Sequence, residues 1–450
     1  MSSLIAKYNV PGPRYTSYPT VPFWDGGGYS GQRWQSLVRR SFDETNASDG
    51  ISVYVHLPFC ETPCTFCGCI KKFTRDHSVE APYLGAVLKE WALYREIFGA
   101  RPRVRELHLG GGTPTFFSAE NLRRLVDGLL RDAVVVPDHE FGFEANPGST
   151  TVEHLQVLHD AGFRRLSLGI QDFDPVVQQT INRVQSVEQV AVVTNAAREV
   201  GYDSINFDLI YGLPRQRLDS VRDTVAEAIK LRPDRIAFYG YAHVPWIKGI
   251  AQRRFTEADI PRDAEKRALY DLGRELLLDA GYLEIGMDHF ALPTDSLSRS
   301  SAAHTVHRNF MGYTAQHTQL SVGLGMSAIG DAWYAFSQNE KNAVDYARRV
   351  DAGELPLLRG HVLDEEDLRL RRHILELMCR FETHIDAGDS SAREGASRLD
   401  EMQRDGLVEL TDDGVRITPE GRPFVRNVCM AFDARLWREK PRSQLFSSTI

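Results

Sequence analysis

From residue 51 onward, short runs of β-branched and apolar residues alternate with longer stretches whose apolar positions recur near every 3.6 residues. Six such pairs can be counted. The strand-like runs fall at 51–57, 104–109, 140–144, 165–170, 204–210 and 235–241, each followed by a turn rich in Gly, Pro, Asn or Asp. Among the helical stretches, 82–98 carries Leu84, Val87, Leu88, Trp91, Leu93, Tyr94 and Ile97 near the helical period. Repeated βα units with right-handed crossovers predict an α/β fold, a parallel sheet curled into a partial (β/α)6 barrel. Its functional face would lie where the C-terminal ends of the strands meet.

After residue 295 the pattern changes. A Ser-rich stretch at 296–301 and a Gly-punctuated run at 323–330 predict irregular structure closing the barrel. From 364 a small, mainly helical domain is expected: a helix to about Cys379, a second at 392–405, a hairpin at 407–415 and a last helix from Pro419. That order is winged-helix-like. The chain thus divides into an N-terminal segment over the active site (1–48), the barrel (49–295), a barrel-closing connection (296–363) and the C-terminal domain (364–450).

The chain has 450 residues, 42% hydrophobic and 25% charged, which fits a folded, enzyme-sized protein and excludes disorder and coiled coil. With 53 Lys and Arg against 61 Asp and Glu, the net charge of −8 gives no general attraction to nucleic acid or anionic membrane. The winged-helix-like region holds 14 basic against 18 acidic residues, the wrong sign for DNA phosphate. No run approaches the roughly 18 apolar residues of a membrane span. The start, through Tyr18, lacks a charged-then-apolar signal, so a cytoplasmic protein is expected.

Candidate chemistry sits directly after the strands. Cys60, Cys64, Cys67 and Cys69 follow the first, Gly110, Gly111 and Gly112 the second, and Glu144 the third; Gln171 and Asp172 follow the fourth, Asp208 the fifth and Tyr241 the sixth. Six loops converging on one face mark a site. Four of the six cysteines crowd into ten residues, while Cys379 and Cys429 stand alone in apolar surroundings, which suits a metal centre better than a disulfide framework. A structural zinc site normally closes four positions with two short knuckles. Here Cys60-x3-Cys64-x2-Cys67 offers three thiolates and leaves one position open, as in a 4Fe-4S cluster with a unique iron.

Cys-x3-Cys-x2-Cys after the first strand of a partial barrel resembles the radical S-adenosylmethionine superfamily, in which the amino and carboxylate groups of S-adenosylmethionine chelate that iron. Gly110-Gly111-Gly112-Thr113-Pro114 strengthens the likeness, because glycine lets backbone approach the methionine amino group where a Cβ would collide. Further segments resemble one family within it, the oxygen-independent coproporphyrinogen III oxidases. They include Pro13-Arg14-Tyr15-Thr16-Ser17-Tyr18-Pro19-Thr20, Phe66-Cys67-Gly68-Cys69, Gln171-Asp172-Phe173, Gly286-Met287-Asp288-His289-Phe290-Ala291, His307-Arg308-Asn309-Phe310 and Arg426-Asn427-Val428-Cys429-Met430.

The resemblance implies a 4Fe-4S cluster on Cys60, Cys64 and Cys67 and two S-adenosylmethionine molecules. Tyr54, Gly111, Glu144 and Ile329 match contacts to the iron-bound molecule; Phe66, Gly112, Thr113, Gln171, Arg183, Asp208 and Ala242 match contacts to the second. Glu144 and Asp208 can accept from ribose hydroxyls or an ammonium group, and Arg183 can grip a carboxylate. Cys69 does not ligate iron in the family; it is either a near-cluster residue or a small buried one. Ala145-Asn146-Pro147 stands where some relatives carry an acidic residue before the proline.

The implied reaction uses a 5'-deoxyadenosyl radical to take a hydrogen from the β-carbon of a propionate. Carbon dioxide and an electron then leave, converting the ring A and B propionates of coproporphyrinogen III to vinyl groups. Four substrate carboxylates call for local cations, and Arg14, His307, Arg308 and Arg426, with Tyr15 and Tyr18 beside a flat macrocycle, are candidates. The alternative is that they tie the N-terminal segment and small domain to the barrel. An electron donor such as flavodoxin or a ferredoxin-type reductant and a monomeric chain are also implied. A haem-binding chaperone or a radical S-adenosylmethionine methyltransferase stays open as the alternative function.

Overall fold

The computed structural model describes residues 2–24, 27–246, 252, 255–439 and 445–449. Six parallel strands form its centre: β1 (Ile51–Leu57), β2 (Arg103–Gly111), β3 (Val134–Ala145), β4 (Arg165–Gln171), β5 (Ser204–Tyr211) and β6 (Arg235–Gly240). Each run expected from the sequence is a strand, and β3 begins well before residue 140. The predicted helix at 82–98 spans Glu80–Phe98.

Alternation along these strands decides the architecture. Val53, Leu107, Phe143, Leu166, Phe207 and Ile236 are fully buried and belong to the main hydrophobic core. Their alternate neighbours are polar: Tyr54 and His56, Glu106 and His108, Glu140 and Glu144, Arg165 and Ser167, Asn206 and Asp208, Arg235 and Tyr239. Since successive side chains of a strand point to opposite faces, one face packs on helices and the other faces the barrel interior. A closed eight-stranded barrel fills its interior with branched apolar side chains. This one lines it with polar groups and keeps it open.

The stretch after residue 295 departs from expectation. Residues 296–301 lie in the helix Ser296–Ala302. While β7 (Leu283–Gly286) and β8 (His289–Ala291), ahead of residue 295, lengthen the sheet beyond β6, the Gly-punctuated region and the chain after it form strands that lengthen it beyond β1: β9 (Ser321–Leu324), β10 (Ile329–Asp331), β11 (Ala335–Asn339) and β12 (Leu357–Val362). The order is β12-β11-β10-β9-β1-β2-β3-β4-β5-β6-β8-β7, so the barrel is extended at both edges instead of closed by irregular chain. The glycines that read as breakers are packing sites. A Cβ on Gly323 would lie 2.4 Å from the Ile329 carbonyl oxygen, and one on Gly330 2.9 Å from the Trp34 ring.

The C-terminal region has its own core, including Leu370, Ile374, Leu377, Val415, Phe424 and Val428. It contains the helix Glu365–Arg380, two short helices (Ser390–Ser397 and Asp400–Arg404) in place of the one expected at 392–405, a three-stranded sheet and the helix Val425–Phe432. Ile5, Tyr15 and Tyr18 of the N-terminal segment are buried in this core, whereas the helix Gly31–Thr45 packs Trp34, Leu37 and Phe42 into the barrel's. Among the described residues no helix is long and apolar enough to cross a membrane.

One buried carboxylate holds the added strands to the barrel. Glu90, on the helix Glu80–Phe98, accepts from the Gly325 amide at 2.8 Å, Asn339 Nδ2 at 2.6 Å and the Tyr346 hydroxyl at 2.7 Å. Burial pushes its carboxyl up to about 7, against the three donors that favour the charge. The folded state then holds more protons than the unfolded between about pH 4.5 and 7, so stability falls as pH rises through that interval. Thermal melts across this range are expected to show that fall in the wild type and a flatter profile in Glu90→Gln, which stays neutral.

Candidate active site

The site is assembled by the register of β1 and β2. Their parallel pairing runs to Leu57 opposite Gly111, and beyond it the Gly112 amide donates to the Leu57 carbonyl at 2.8 Å and the Thr113 amide to that of Phe59 at 3.0 Å. This lays the glycine turn along the start of the cysteine loop. Thr113 Oγ1 donates to Cys60 Sγ at 3.3 Å. On the far side the loop leans on residues 180–183: the Thr65 amide donates to the Ile181 carbonyl at 2.9 Å, Asn182 Nδ2 to the Pro63 carbonyl at 2.9 Å, and Arg183 Nη1 points to Cys64 Sγ at 3.9 Å.

Cys60, Cys64, Cys67 and Cys69 all line one cavity of about 430 Å³ with Phe66, Gly111, Gly112, Thr113, Glu144, Gln171, Arg183 and Asp208. A second cavity of about 360 Å³ shares Cys69, Gly111 and Glu144 with it and adds Tyr54, His307 and Ile329. The structure therefore brings together all the sequence-predicted cofactor residues except Ala242, which follows β6 half-buried. All four cysteines are free. Cys69 is exposed, and the space it faces is this shared interior, so the small-buried-residue reading gives way to a cavity wall position.

The glycine turn has a different cause from the one its sequence suggests. Gly111 has φ +110°, and a Cβ there would lie 2.7 Å from the His56 ring; one on Gly112 would lie 2.6 Å from the Pro58 carbonyl carbon, and one on Gly110 2.9 Å from Glu144 Oε1. The protein's own chain excludes side chains here before any ligand is considered. The same closeness lets the Gly111 amide donate to Glu144 Oε2 at 3.1 Å.

The two acids of the site are tuned oppositely. Burial works against the charge on Glu144, but His108, at 3.5 Å, the Gly111 amide and His56 outweigh it and hold the carboxyl below its ordinary value. Asp208 is pushed up to about 7 by burial and by the Glu144 charge, although Asn206 Nδ2 and Ser167 Oγ donate to it at 2.8 and 3.1 Å. Arg183 commits Nη2 to the Gly169 carbonyl at 2.7 Å and Nε to Gln185 at 3.3 Å, so part of its fork is spent within the protein. Asn146 closes its turn, accepting from the Gly148 amide on Oδ1 at 3.0 Å and from Thr150 Oγ1 on its carbonyl at 2.8 Å.

The residues proposed to meet the substrate also make contacts within the protein. Arg426 gives its nitrogens to the carbonyls of Gly12, Pro13, Ser448 and Thr449. Tyr15 is buried and donates to Asp433 at 3.0 Å. Arg308 is buried over the Tyr313 ring, and Arg14 reaches the Gly240 carbonyl at 2.8 Å and Asp288 at 3.4 Å. These four tie the N-terminal segment, barrel edge and C-terminal region together. His307 does line the second cavity, but burial, then His317 and Arg371, push its imidazole well below the ordinary value, so it stands there neutral. Asn309 and Phe310, of the resembling segment 307–310, line that cavity too, as do Met311 and Gln338, which the sequence did not single out; Tyr239 on the first was legible only as an inward position of β6.

Among the described residues no three His, Cys, Asp or Glu side chains converge as ligands of a single metal ion. Thiols spread around one cavity, with glycine backbone beside them, fit a polynuclear iron–sulfur cluster, in which each thiolate serves a separate iron.

The radical SAM superfamily model matches residues 54–228. The oxygen-independent coproporphyrinogen III oxidase of Pseudomonas aeruginosa is 39% identical over 97% of this chain and 96% of its own, and that of Escherichia coli K12 is 38% identical over 100% and 98%. The chain belongs to the oxygen-independent coproporphyrinogen III oxidases. The solved structure of the Escherichia coli coproporphyrinogen III oxidase, described as a radical SAM enzyme, superposes with a TM-score of 0.88 at 36% identity, covering 94% of this chain and 98% of that one. A radical SAM oxidase of this family carries a 4Fe-4S cluster and uses S-adenosylmethionine. For this chain's own thiols, alanine at Cys60, Cys64 or Cys67 is expected to lower iron and sulfide content after anaerobic reconstitution and to bleach the cluster absorbance. Cys69→Ala should keep both.

Proposed function

We propose that the enzyme converts the ring A and ring B propionates of coproporphyrinogen III to vinyl groups, giving protoporphyrinogen IX. It would act as a cytoplasmic monomer supplied with electrons by a flavodoxin or ferredoxin-type protein. The observation that carries this reading is the convergence of Cys60, Cys64 and Cys67, the Gly111–Gly112–Thr113 turn and the acids Glu144 and Asp208 on one cavity, in a chain aligned end to end with named oxidases. Neither the chaperone nor the methyltransferase alternative has an observation in its favour.

Each propionate loses a hydrogen atom, carbon dioxide and one further electron. When bound, the cluster and S-adenosylmethionine supply the one-electron chemistry that removes a hydrogen atom from the propionate β-carbon. The rest falls to side chains. Cys60, Cys64 and Cys67 would hold three irons and leave the fourth open. Tyr54, Gly111, Glu144 and Ile329 would seat one S-adenosylmethionine: Glu144, held ionised, suits an ammonium group, and the Ile329 strand closes the wall. Phe66, Gly112, Thr113, Gln171, Arg183, Asp208 and Ala242 would seat a second. Thr113 keeps the Cys60 sulfur oriented, and Arg183 sets its guanidinium 3.9 Å from Cys64 Sγ.

The test is anaerobic reconstitution with iron and sulfide, followed by dithionite, S-adenosylmethionine and coproporphyrinogen III. Release of 5'-deoxyadenosine and carbon dioxide with formation of both vinyl groups is the expected result. Cleavage of S-adenosylmethionine with both propionates intact would remove the decarboxylase reading. In the same assay Asp208→Asn should raise the S-adenosylmethionine concentration needed for half-maximal turnover by about tenfold or more, the scale of one lost charge-assisted hydrogen bond.

A further inference from the structure

Immediately outside the cysteine loop runs a two-residue strand, Lys72–Phe73, both of whose side chains are exposed. It pairs in parallel with Phe59–Cys60, placing Phe73 opposite Cys60 in register. The Lys72 amide donates to the Pro58 carbonyl at 2.8 Å and the Thr74 amide to the Cys60 carbonyl at 3.1 Å. The outer surface is thus one hydrogen bond from a candidate cluster ligand. Phe73 is 45% exposed, with Lys71 Nζ 5.6 Å from its ring centre.

The charge of this face runs against that of the chain. Lys71, Lys72 and Arg75 fall within five residues of a protein whose net charge is −8. The acidic groups nearby are turned to local partners: Asp76 accepts from the Ser78 amide at 2.9 Å, and Glu61 lies 3.7 Å from His77. Across the loop, exposed Pro63 is held by Asn182, next to Val184, which is 75% exposed. A basic rim around exposed apolar side chains, on the strand paired with Phe59–Cys60, has the composition of a docking surface for an acidic protein.

We propose that the Lys72–Phe73 strand, with Arg75, is the landing surface for a small acidic one-electron carrier protein. The inference rests on the decarboxylase reading, which requires an electron delivered to the cluster from outside. In the transfer the carrier is oxidised by one electron and the cluster reduced by one, with no bond made or broken. A strand joined to Cys60 by backbone hydrogen bonds brings the two redox groups close enough for that step, and steering by Lys72 and Arg75 accounts for recognition.

The experiment compares wild type with Lys72→Glu/Arg75→Glu, leaving Lys71 intact because its Nζ donates to the Cys67 carbonyl at 3.1 Å. Association with an acidic flavodoxin is measured directly, on apo and reconstituted enzyme, and turnover is driven in parallel by reduced flavodoxin and by dithionite. The expected result is flavodoxin binding and flavodoxin-driven turnover about tenfold weaker or more at low salt, with dithionite-driven turnover unchanged. Wild-type binding should itself weaken toward that of the variant at about 1 M salt, where screening acts over about 3 Å. Unchanged flavodoxin binding and turnover in the double variant would overturn the proposal. Absence of dithionite-driven decarboxylation in the wild type would instead overturn the decarboxylase reading, and the binding measurement on the apo enzyme would still decide the surface.

Discussion

Everything at the site depends on β1 and β2 staying parallel and in register to their last residues. That pairing puts the cysteine loop and the glycine turn side by side, and it works only because no Cβ stands on Gly110, Gly111 or Gly112. Any side chain there would push the turn off His56, Pro58 or Glu144 and carry Thr113 away from Cys60. The constraint is steric and local, yet it positions a loop from one βα unit against the turn of the next.

The second determinant is the polarity of the barrel interior. Inward positions of all six strands carry polar or charged groups, and these must be paired or pay desolvation. Arg165 meets Glu140 at 2.7 Å and Arg235 meets Asp295 at 2.7 Å low in the barrel, which leaves the upper acids, Glu144 and Asp208, for the cavity. Their opposite tuning follows from what surrounds each: Glu144 has an imidazole and a backbone amide, while Asp208 has neutral donors and the Glu144 charge. One acid is held charged and the other near its midpoint at neutral pH.

The termini are held to one another. Arg426 gathers four backbone carbonyls from the N-terminal segment and the chain's end, and Tyr15 and Asp433 are hydrogen-bonded beneath it. Arg426 thus holds the two ends of the chain together, and with Arg14 it also lines a cavity beside Tyr211 and Lys266. A guanidinium with five donors is suited to either task, and sequence records only the side chain.

The sequence by itself determined the six βα units, because alternation of two and near 3.6 residues is a local property of strands and helices. It determined the cysteine loop, because three thiols at that spacing are contiguous in the chain, and it placed Glu144, Gln171 and Asp208 at strand ends. Only the tertiary structure decided that the Gly-rich stretch near residue 325 makes sheet, since Gly325 is fixed against His56 and Tyr83 and Gly330 against Trp34, all far along the chain. It also decided that Arg426 and Tyr15 face a seam, that His307 stands neutral, and that Cys69 opens onto the cavity. Each of these depends on which distant groups surround a residue, and burial, pairing and desolvation are properties of the assembled fold.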